Sequence, residues 1–323
     1  MTELYPMVLK AACKDYIWGG TRLRTEYGQQ SSAGKVAESW MLSNHPDGPS
    51  TVVNGTCSGM TLPAYFAKAG RSVFGTDCAG FPDFPVLIKL IDAKNRLSIQ
   101  VHPDDAYARA HGEPFGKTEM WYVVDCLPGA SLYYGFDHAI SKEEFRDRIG
   151  NNTLEEVLNK VPVRRGDVFF IAAGTLHAIG AGILIAEIQQ SSNLTYRIYD
   201  YGRLGNDGRP RQLHIAQALD VTRLERPTRS SRPQGMPETL PGGTRTLLAS
   251  CGIFTVYEEE IRDREFFAGK ESFHSLVCLD GEAALLRDGK ELLRFRKGGS
   301  VFIPAGYGAY RVQGGCRVLM TKV

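Results

Sequence analysis

Four side chains with metal-binding atoms have a spacing that could place them around one ion. Gln100 and His102 are two residues apart in SIQVHP, so on a strand both side chains leave the same face. Glu119 begins a later predicted strand after a glycine corner, and His177 ends another. An antiparallel barrel can bring such positions together around one interior point. The spacing therefore predicts a site with two imidazoles, one carboxylate and one amide oxygen.

Nitrogen and oxygen ligands without a thiolate suit Zn²⁺, but they also suit iron, manganese or cobalt. Two histidines and one carboxylate also describe the facial triad of non-haem iron oxygenases, which would predict bound iron and oxygen consumption. A structural interpretation stays open as well. In it, His102 is a half-buried histidine with satisfied hydrogen bonds, and Glu119 is an ordinary acid at the edge of a strand.

Charged and hydroxyl side chains accompany these candidates. Lys117 lies two residues before Glu119 and Ser98 two residues before Gln100, so each should face the same side as its neighbour. A lysine and a hydroxyl beside a metal suit an anionic, oxygen-rich ligand such as a sugar phosphate.

A second cluster follows in residues 189–203, which read QQSSNLTYRIYDYGR. It contains Arg197, Asp200 and Arg203 among tyrosines. An arginine here would add a second cation to a phosphate-binding site. The alternative is that Arg197 and Asp200 form an ordinary surface ion pair.

Short strands between glycine and proline turns must position these residues. Apolar, β-branched and aromatic runs predict strands at 84–93 (FPVLIKLIDA), 96–103, 119–128, 167–174, 183–190, 254–261, 274–281, 283–289 and 300–306. Helices are predicted at 62–70, 104–112, 141–150, 152–161 and 214–223. Ser141 and Asn152 are predicted N-caps, and one of Asp104 and Asp105 should cap the helix after His102.

The chain is expected to divide into two β domains. Residues 226–243 form a Pro/Gly-rich linker between a large domain at 1–225 and a compact all-β domain at 244–323. Gly166–His177 (GDVFFIAAGTLH) resembles Gly299–Ala309 (GSVFIPAGYGA), which supports two related barrels. Ala309 falls opposite His177, so the second barrel is expected to hold no metal.

Composition excludes several classes of function. The 38 basic and 36 acidic residues nearly cancel, so neither nucleic acid nor an anionic membrane is the expected partner. No run of about 18 apolar residues is present to span a bilayer. The seven cysteines are odd in number and include no Cys-x-x-Cys pair, which favours free thiols in a reducing cytoplasm.

Several motifs resemble one family closely. KDYIWGGTRL (14–23), LSIQVHPDD (97–105), GKTEMWYV (116–123), AGTLHAIG (173–180) and SSNLTYRIYDYGR (191–203) resemble the type I mannose-6-phosphate isomerases in their short bacterial form. The resemblance implies a mainly β fold of two cupin-type, jelly-roll barrels with a few short helices. The domain at 1–225 would be the catalytic, metal-binding cupin with small helical additions, and the domain at 244–323 a metal-free cupin. It also implies interconversion of mannose 6-phosphate and fructose 6-phosphate through an enediolate. One Zn²⁺ per chain would be held by Gln100, His102, Glu119 and His177.

The same resemblance implies roles for the neighbouring residues. Arg197 takes the place of a catalytic and substrate-binding arginine, Lys117 that of a catalytic and substrate-binding lysine, and Ser98 that of a substrate-binding serine. Asn193 stands where the long forms have an aspartate. The proton carrier therefore stays open between Lys117 and a metal-bound water. A cupin that senses sugar phosphates without turnover is the expectation from another functional class.

Overall fold

Short strands rich in Val, Ile, Phe and Tyr account for most of the regular structure, as the turn-separated apolar runs predict. The computed structural model describes residues 3–205 and 207–323. The strands up to residue 199 are β1 (Met7–Lys10), β2 (Ala12–Lys14), β3 (Glu38–Leu42), β4 (Thr51–Val52), β5 (Val86–Ala93), β6 (Ile99–Val101), β7 (Glu119–Cys126), β8 (Ser131–Phe136), β9 (Leu158–Pro162), β10 (Val168–Ile171), β11 (His177–Ala178), β12 (Ile183–Gln190) and β13 (Tyr196–Tyr199).

The later strands are longer. They are β14 (Glu238–Leu240), β15 (Gly243–Ser250), β16 (Thr255–Ala268), β17 (His274–Arg287), β18 (Lys290–Arg296), β19 (Ser300–Ile303) and β20 (Gly308–Lys322). The α-helices are α1 (Arg22–Thr25), α2 (Leu62–Ala69), α3 (Asp105–Ala110), α4 (Lys142–Gly150) and α5 (Ile215–Val221). The predicted fold class, mainly β with a few short helices, is confirmed.

Three antiparallel sheets contain the strands of the described residues. The outer sheet has the order β13-β6-β11-β8-β9, the middle sheet β10-β7-β12-β5-β3-β2, and the long sheet β14-β15-β16-β20-β17-β19-β1-β4 with β18 beside β17. The outer and middle sheets pack face to face around an apolar cluster that includes Trp121, Leu132 and Phe169. This is the layered arrangement of a jelly roll, built from two sheets rather than one closed ring of strands.

The long sheet uses both of its faces. One face packs against the middle sheet through side chains such as Tyr122, Val277 and Phe302, and the other encloses a second apolar cluster. Strand β1 pairs with β19, with Met7 opposite Phe302, so the start of the chain completes the C-terminal sheet. The division into 1–225, 226–243 and 244–323 stays a prediction, and strand β14 lies within its linker segment.

Helix ends follow the predicted capping chemistry in two places. The Ser141 side chain accepts a hydrogen bond from the Glu144 backbone N–H at 3.0 Å at the start of α4. Asp104 does the same for the Tyr107 N–H at 2.9 Å at the start of α3. These bonds satisfy backbone donors that the first helical turn leaves free.

In the described part of the chain, no helix has the length and apolar character needed to cross a membrane.

The predicted helix at 152–161 is wrong. Residues Leu154–Val157 form a single 3-10 turn, and strand β9 follows it directly. Asn152 is not an N-cap; it has φ +61° and follows α4 as a left-handed residue that ends the helix. The apolar residues of β9 pair with β8, with Val161 opposite Leu132, so tertiary pairing outweighs the local helical pattern.

Candidate metal centre

The predicted ligand residues come from two facing sheets. In the outer sheet, His177 of β11 and Arg197 of β13 both lie directly opposite Gln100 of β6. His102 follows β6 immediately, and Glu119 begins β7 in the middle sheet. Antiparallel register therefore brings together residues that are up to 97 positions apart in the chain.

His102, Glu119 and His177 form a compact group. Their nearest ligand atoms all lie within 4.8 Å of one another, and all three side chains are buried. His102 Nε2 lies 3.7 Å from Glu119 Oε2, and His177 Nε2 lies 3.5 Å from Glu119 Oε1. Two nitrogens and a carboxylate thus point at a common centre.

The hydrogen bonds around this group fit a divalent metal. His102 Nδ1 lies 2.8 Å from the Leu194 carbonyl oxygen, and His177 Nδ1 lies 2.8 Å from that of Thr175. Because a carbonyl only accepts, Nδ1 carries the proton in each ring and Nε2 keeps its lone pair as an acceptor. Such backbone partners are typical of metal-binding histidines.

The electrostatics agree with this arrangement. Burial, and then the charge of Lys117, keep the pKa of His102 well below its ordinary value, and burial lowers the pKa of His177 to about 4. Both rings are therefore neutral near pH 7. Neither oxygen of Glu119 makes a hydrogen bond of good geometry, although Lys117 Nζ lies 2.8 Å from Oε2. A fully buried carboxylate needs such positive charge nearby.

Gln100 and Lys117 complete the immediate surroundings. The amide nitrogen of Gln100 lies 3.4 Å from His177 Nε2, and Lys117 Nζ lies 3.1 Å from His102 Nε2. The structure thus brings all four predicted ligands together with the predicted lysine. Their assignment as ligands and as a catalytic lysine stays a prediction at this point.

A row of buried charges of alternating sign crosses the middle sheet beside this group. Lys89 Nζ lies 3.1 Å from Glu187 Oε1 and 3.7 Å from Glu38 Oε2, and Lys117 Nζ lies 3.9 Å from Glu187 Oε1. Burial would raise the pKa of Glu187, but the charges of Lys117 and Lys89 outweigh it and lower the pKa to about 2. Each charge therefore stabilises its neighbours.

Sequence reasoning missed Glu38, Lys89 and Glu187. Lys89 is the single charge in the apolar run VLIKLI, and Glu187 is the single charge in ILIAEIQQ. A single charge in the middle of a strand that is apolar on both sides is costly to bury unless it is paired. Two such strands in one chain were the signal that could have revealed a buried ion pair.

An open cavity of about 270 Å³ adjoins the group. Its lining includes Tyr16, Trp18, Glu38, Lys89, Ser98, Gln100, Lys117, Glu187, Asn193, Arg197 and Arg211. Arg197 Nε donates to Ser98 Oγ at 3.2 Å and Nη1 to the Gln212 carbonyl at 3.1 Å. Two guanidinium groups therefore face a space beside the metal candidates, and sequence reasoning had named only Arg197.

The expected alternative of an Arg197–Asp200 surface pair is wrong. Asp200 is buried, and its carboxylate is bound by Arg203 and Arg211 instead. Arg197 is directed into the cavity because strand alternation turns it toward Ser98.

Family profiles identify two parts of the chain. Residues 7–123 match "Phosphomannose isomerase type I, catalytic domain", and residues 244–323 match "Mannose-6-phosphate isomerase, cupin domain". A mannose-6-phosphate isomerase of Streptococcus mutans is 38% identical over 97% of each chain. The chain belongs to the type I phosphomannose isomerases. The family match confirms the resemblance that the sequence motifs indicate.

Further relatives agree over nearly the whole length. The mannose-6-phosphate isomerase ManA of Bacillus subtilis is 36% identical over 96% of each chain. A crystal structure of the mannose 6-phosphate isomerase from Bacillus subtilis, 36% identical, covers 98% of this chain and 99% of its own, with a TM-score of 0.90. The phosphomannose isomerase fold therefore extends over both barrels.

Family membership decides between the chemistries that the ligand set left open. His102, Glu119 and His177 alone would also match the facial triad of an iron oxygenase. The relatives at 35–38% identity are named as isomerases, and the cavity is lined by cations, so neither the oxygenase nor a non-catalytic sensor is favoured.

Proposed function

We propose that this protein is an aldose–ketose isomerase that interconverts mannose 6-phosphate and fructose 6-phosphate at a Zn²⁺ site. The observation that carries the proposal is the convergence of His102, Glu119 and His177 beside Arg197. Relatives that align with this chain over nearly their full length are named as mannose-6-phosphate isomerases.

The ligand set that we propose is Gln100, His102, Glu119 and His177, with one Zn²⁺ per chain. Neutral imidazole Nε2 atoms, a carboxylate and an amide oxygen suit zinc. The amide nitrogen of Gln100 faces His177 Nε2 in the structure, so the proposed ligand set requires a flip of this amide. When bound, the ion would supply a Lewis acid that can polarise the carbonyl of the open-chain sugar. Elemental analysis of the purified protein distinguishes zinc from iron, manganese and cobalt.

The reaction moves one proton between C1 and C2, and negative charge develops on the adjacent oxygens. Arg197 is the residue we propose to stabilise that charge, because its guanidinium is fixed by Ser98 and Gln212 before substrate arrives. A donor held in place in this way costs no reorganisation in the transition state. Lys117 lines the cavity, its Nζ lies 3.1 Å from His102 Nε2, and its ammonium has three donors, so it can also hydrogen-bond a sugar oxygen.

The sugar phosphate must be recognised at its other end. We propose that Ser98 and Arg211 bind the 6-phosphate, because both line the cavity and a guanidinium matches a phosphate in shape and charge. Lys117 is proposed both to bind substrate and to carry the proton between carbons.

One coupled assay tests the function. Fructose 6-phosphate formation from mannose 6-phosphate is measured for the untreated protein, after chelator treatment, and after Zn²⁺ is restored. Activity that the chelator removes and zinc restores supports the proposal. A protein that retains zinc but forms no fructose 6-phosphate contradicts it.

A cytoplasmic location remains a prediction from the cysteine pattern. All seven cysteines are free in the structure.

A further inference from the structure

Asp200 holds two arginines at the edge of the active-site cavity. Arg211 binds the carboxylate of Asp200 through two nitrogens: Nε lies 2.7 Å from Oδ2 and Nη2 lies 2.5 Å from Oδ1. Arg203 Nη2 also lies 2.5 Å from Oδ1. Hydrogen bonds from both arginines outweigh the effect of burial and lower the pKa of Asp200. The carboxylate is therefore charged and has a fixed orientation.

These bonds close a loop. Asp200 begins a tight turn in which Tyr201 and Gly202 both have positive φ, and Arg203 Nε returns to the Asp200 carbonyl oxygen at 3.2 Å. Leu204 and Pro210 form an antiparallel backbone bridge that brings the two ends of this loop together. Asp200 contacts both ends through the side chains of Arg203 and Arg211.

Arg211 stands in an unfavourable position without Asp200. It lines the same cavity as Arg197, and burial, followed by the charge of Arg211, lowers the pKa of Arg197. Two like charges in one cavity repel, and an arginine side chain that is not held would turn toward solvent. The carboxylate of Asp200 offsets this repulsion. It also fixes the plane of the Arg211 guanidinium and leaves Nη1 outside the pair.

We propose that Asp200 is a positioning residue that holds Arg211 toward the phosphate of the substrate. It thereby sets the preference for a phosphorylated over an unphosphorylated sugar. This inference rests on the proposed function, because it requires a sugar phosphate in the cavity. It assigns Asp200 no contact with the reacting carbons, so its removal should affect substrate binding more than turnover.

The first test compares Asp200→Asn with Asp263→Asn. Asp263 is a matched control because Arg311 binds both of its oxygens in the second barrel, far along the chain from the cavity. For D200N we expect KM for mannose 6-phosphate to rise about tenfold to a hundredfold, the factor that one charge-assisted hydrogen bond contributes. The value of kcat should stay within about threefold. D263N should leave both constants unchanged.

Inorganic phosphate supplies a readout that general loss of structure would not give. Its competitive inhibition constant should rise in D200N by the same factor as KM. Turnover of unphosphorylated mannose, measured as kcat/KM, should not change. Equal losses for mannose and mannose 6-phosphate would overturn the inference, because they would show general damage to the site.

A double-mutant cycle tests whether Asp200 acts through Arg211. In an Arg211→Ala background, D200N should raise KM by less than about twofold, since the interaction it removes is already absent. A further rise as large as in the wild type contradicts the proposal.

If D200N does not fold, two single variants still decide. Arg203→Ala removes the other partner of Asp200 and keeps the Arg211 pair, so KM should rise far less than in R211A. A rise in R203A equal to that in R211A would show that loop integrity matters and the Arg211 pair does not.

The assay also separates the proposed function from the proposed role of Asp200. If the wild type fails to convert mannose 6-phosphate, the proposed function is wrong; if it converts it and D200N has the wild-type KM, only the role of Asp200 is wrong.

Discussion

The interiors of the two barrels differ in how their buried charges are satisfied. In the first, Glu119 is fully buried, lacks a hydrogen bond of good geometry, and faces two imidazole Nε2 atoms within 3.7 Å. In the second, Glu259 is equally buried but accepts from Arg245 at 2.7 Å and also pairs with Arg264. A buried acid with its own arginines is structural, whereas one that shares a centre with other ligands indicates a metal site.

Strand pairing identifies equivalent positions in the two barrels. Ile171 lies opposite Glu119 in the first barrel, and Ile303 lies opposite His274 in the second. His274 therefore occupies the place of Glu119, and its Nδ1 lies 2.8 Å from the Tyr310 hydroxyl. Among the residues that the structure describes, His102, Glu119 and His177 are the one group of at least three acids, histidines or cysteines with metal-ligand spacing.

The largest expected effect comes from removing a ligand in the first barrel. His102→Ala and Glu119→Ala should each lower bound zinc from about one per chain to near zero, because each leaves only two of the imidazole and carboxylate ligands that zinc prefers beside the neutral amide of Gln100. Isomerase activity should be lost with the metal. His274→Ala, at the corresponding place in the second barrel, should keep both. Full zinc occupancy in both first-barrel variants, measured by elemental analysis, would contradict the ligand assignment.

Arg197 should separate catalysis from metal binding. Arg197→Ala should lower kcat by about 10²–10³, or about 2.7–4 kcal/mol, as expected for one donor that stabilises transition-state charge. Zinc content should not change, since Arg197 is not a ligand. Arg311→Ala, which removes an exposed arginine of the second barrel, is the control. Near-normal turnover in R197A would reject the catalytic role.

Glu259 tests whether a buried acid of the second barrel contributes to stability and not to activity. Glu259→Gln leaves Arg264 buried without its carboxylate and should lower the free energy of unfolding by about 3 kcal/mol. Denaturant unfolding measures this change. The kcat of the folded fraction should equal that of the wild type. A loss of stability below about 1 kcal/mol would show that the pair is not structural.

His274 gives the smallest effect, and it depends on pH. Burial, and then the charges of Lys322 and Arg245, lower its pKa to about 4. Between that value and about 6.5 the unfolded chain binds a proton that the folded chain does not, so stability falls as pH falls. This one group contributes at most about 1.4 kcal/mol per pH unit.

His274→Gln should flatten the pH dependence of the free energy of unfolding within that window. The slope between pH 4 and 6.5 is compared with that of the wild type, in which His102 and His177 titrate as well. An unchanged slope would mean that His274 does not contribute.

Local pattern predicted much of the first barrel. The two-residue spacing of Gln100 and His102 correctly indicated a shared face, because strand alternation is a local property. Glu119 and His177 were found because they stand at strand ends beside glycine corners. The structure brings all four together, and strand register between distant segments is what does so.

The features of the site and fold that could not be predicted from the sequence depend on long-range contacts. Lys89 and Glu187 lie directly opposite each other on β5 and β12, a pairing that neither strand specifies alone. Arg211 lines the cavity at the end of a loop whose closure depends on contacts between distant residues, among them its pair with Asp200. The helix predicted at 152–161 failed for the same reason, since pairing with β8 makes β9 a strand.

Anomalous diffraction at the zinc absorption edge tests the central claim most directly. For crystals of the active protein, the account predicts one strong peak per chain, among His102 Nε2, Glu119 and His177 Nε2, and none inside the second barrel. A peak beside His274, or an active crystal with no peak between the outer and middle sheets, would contradict it.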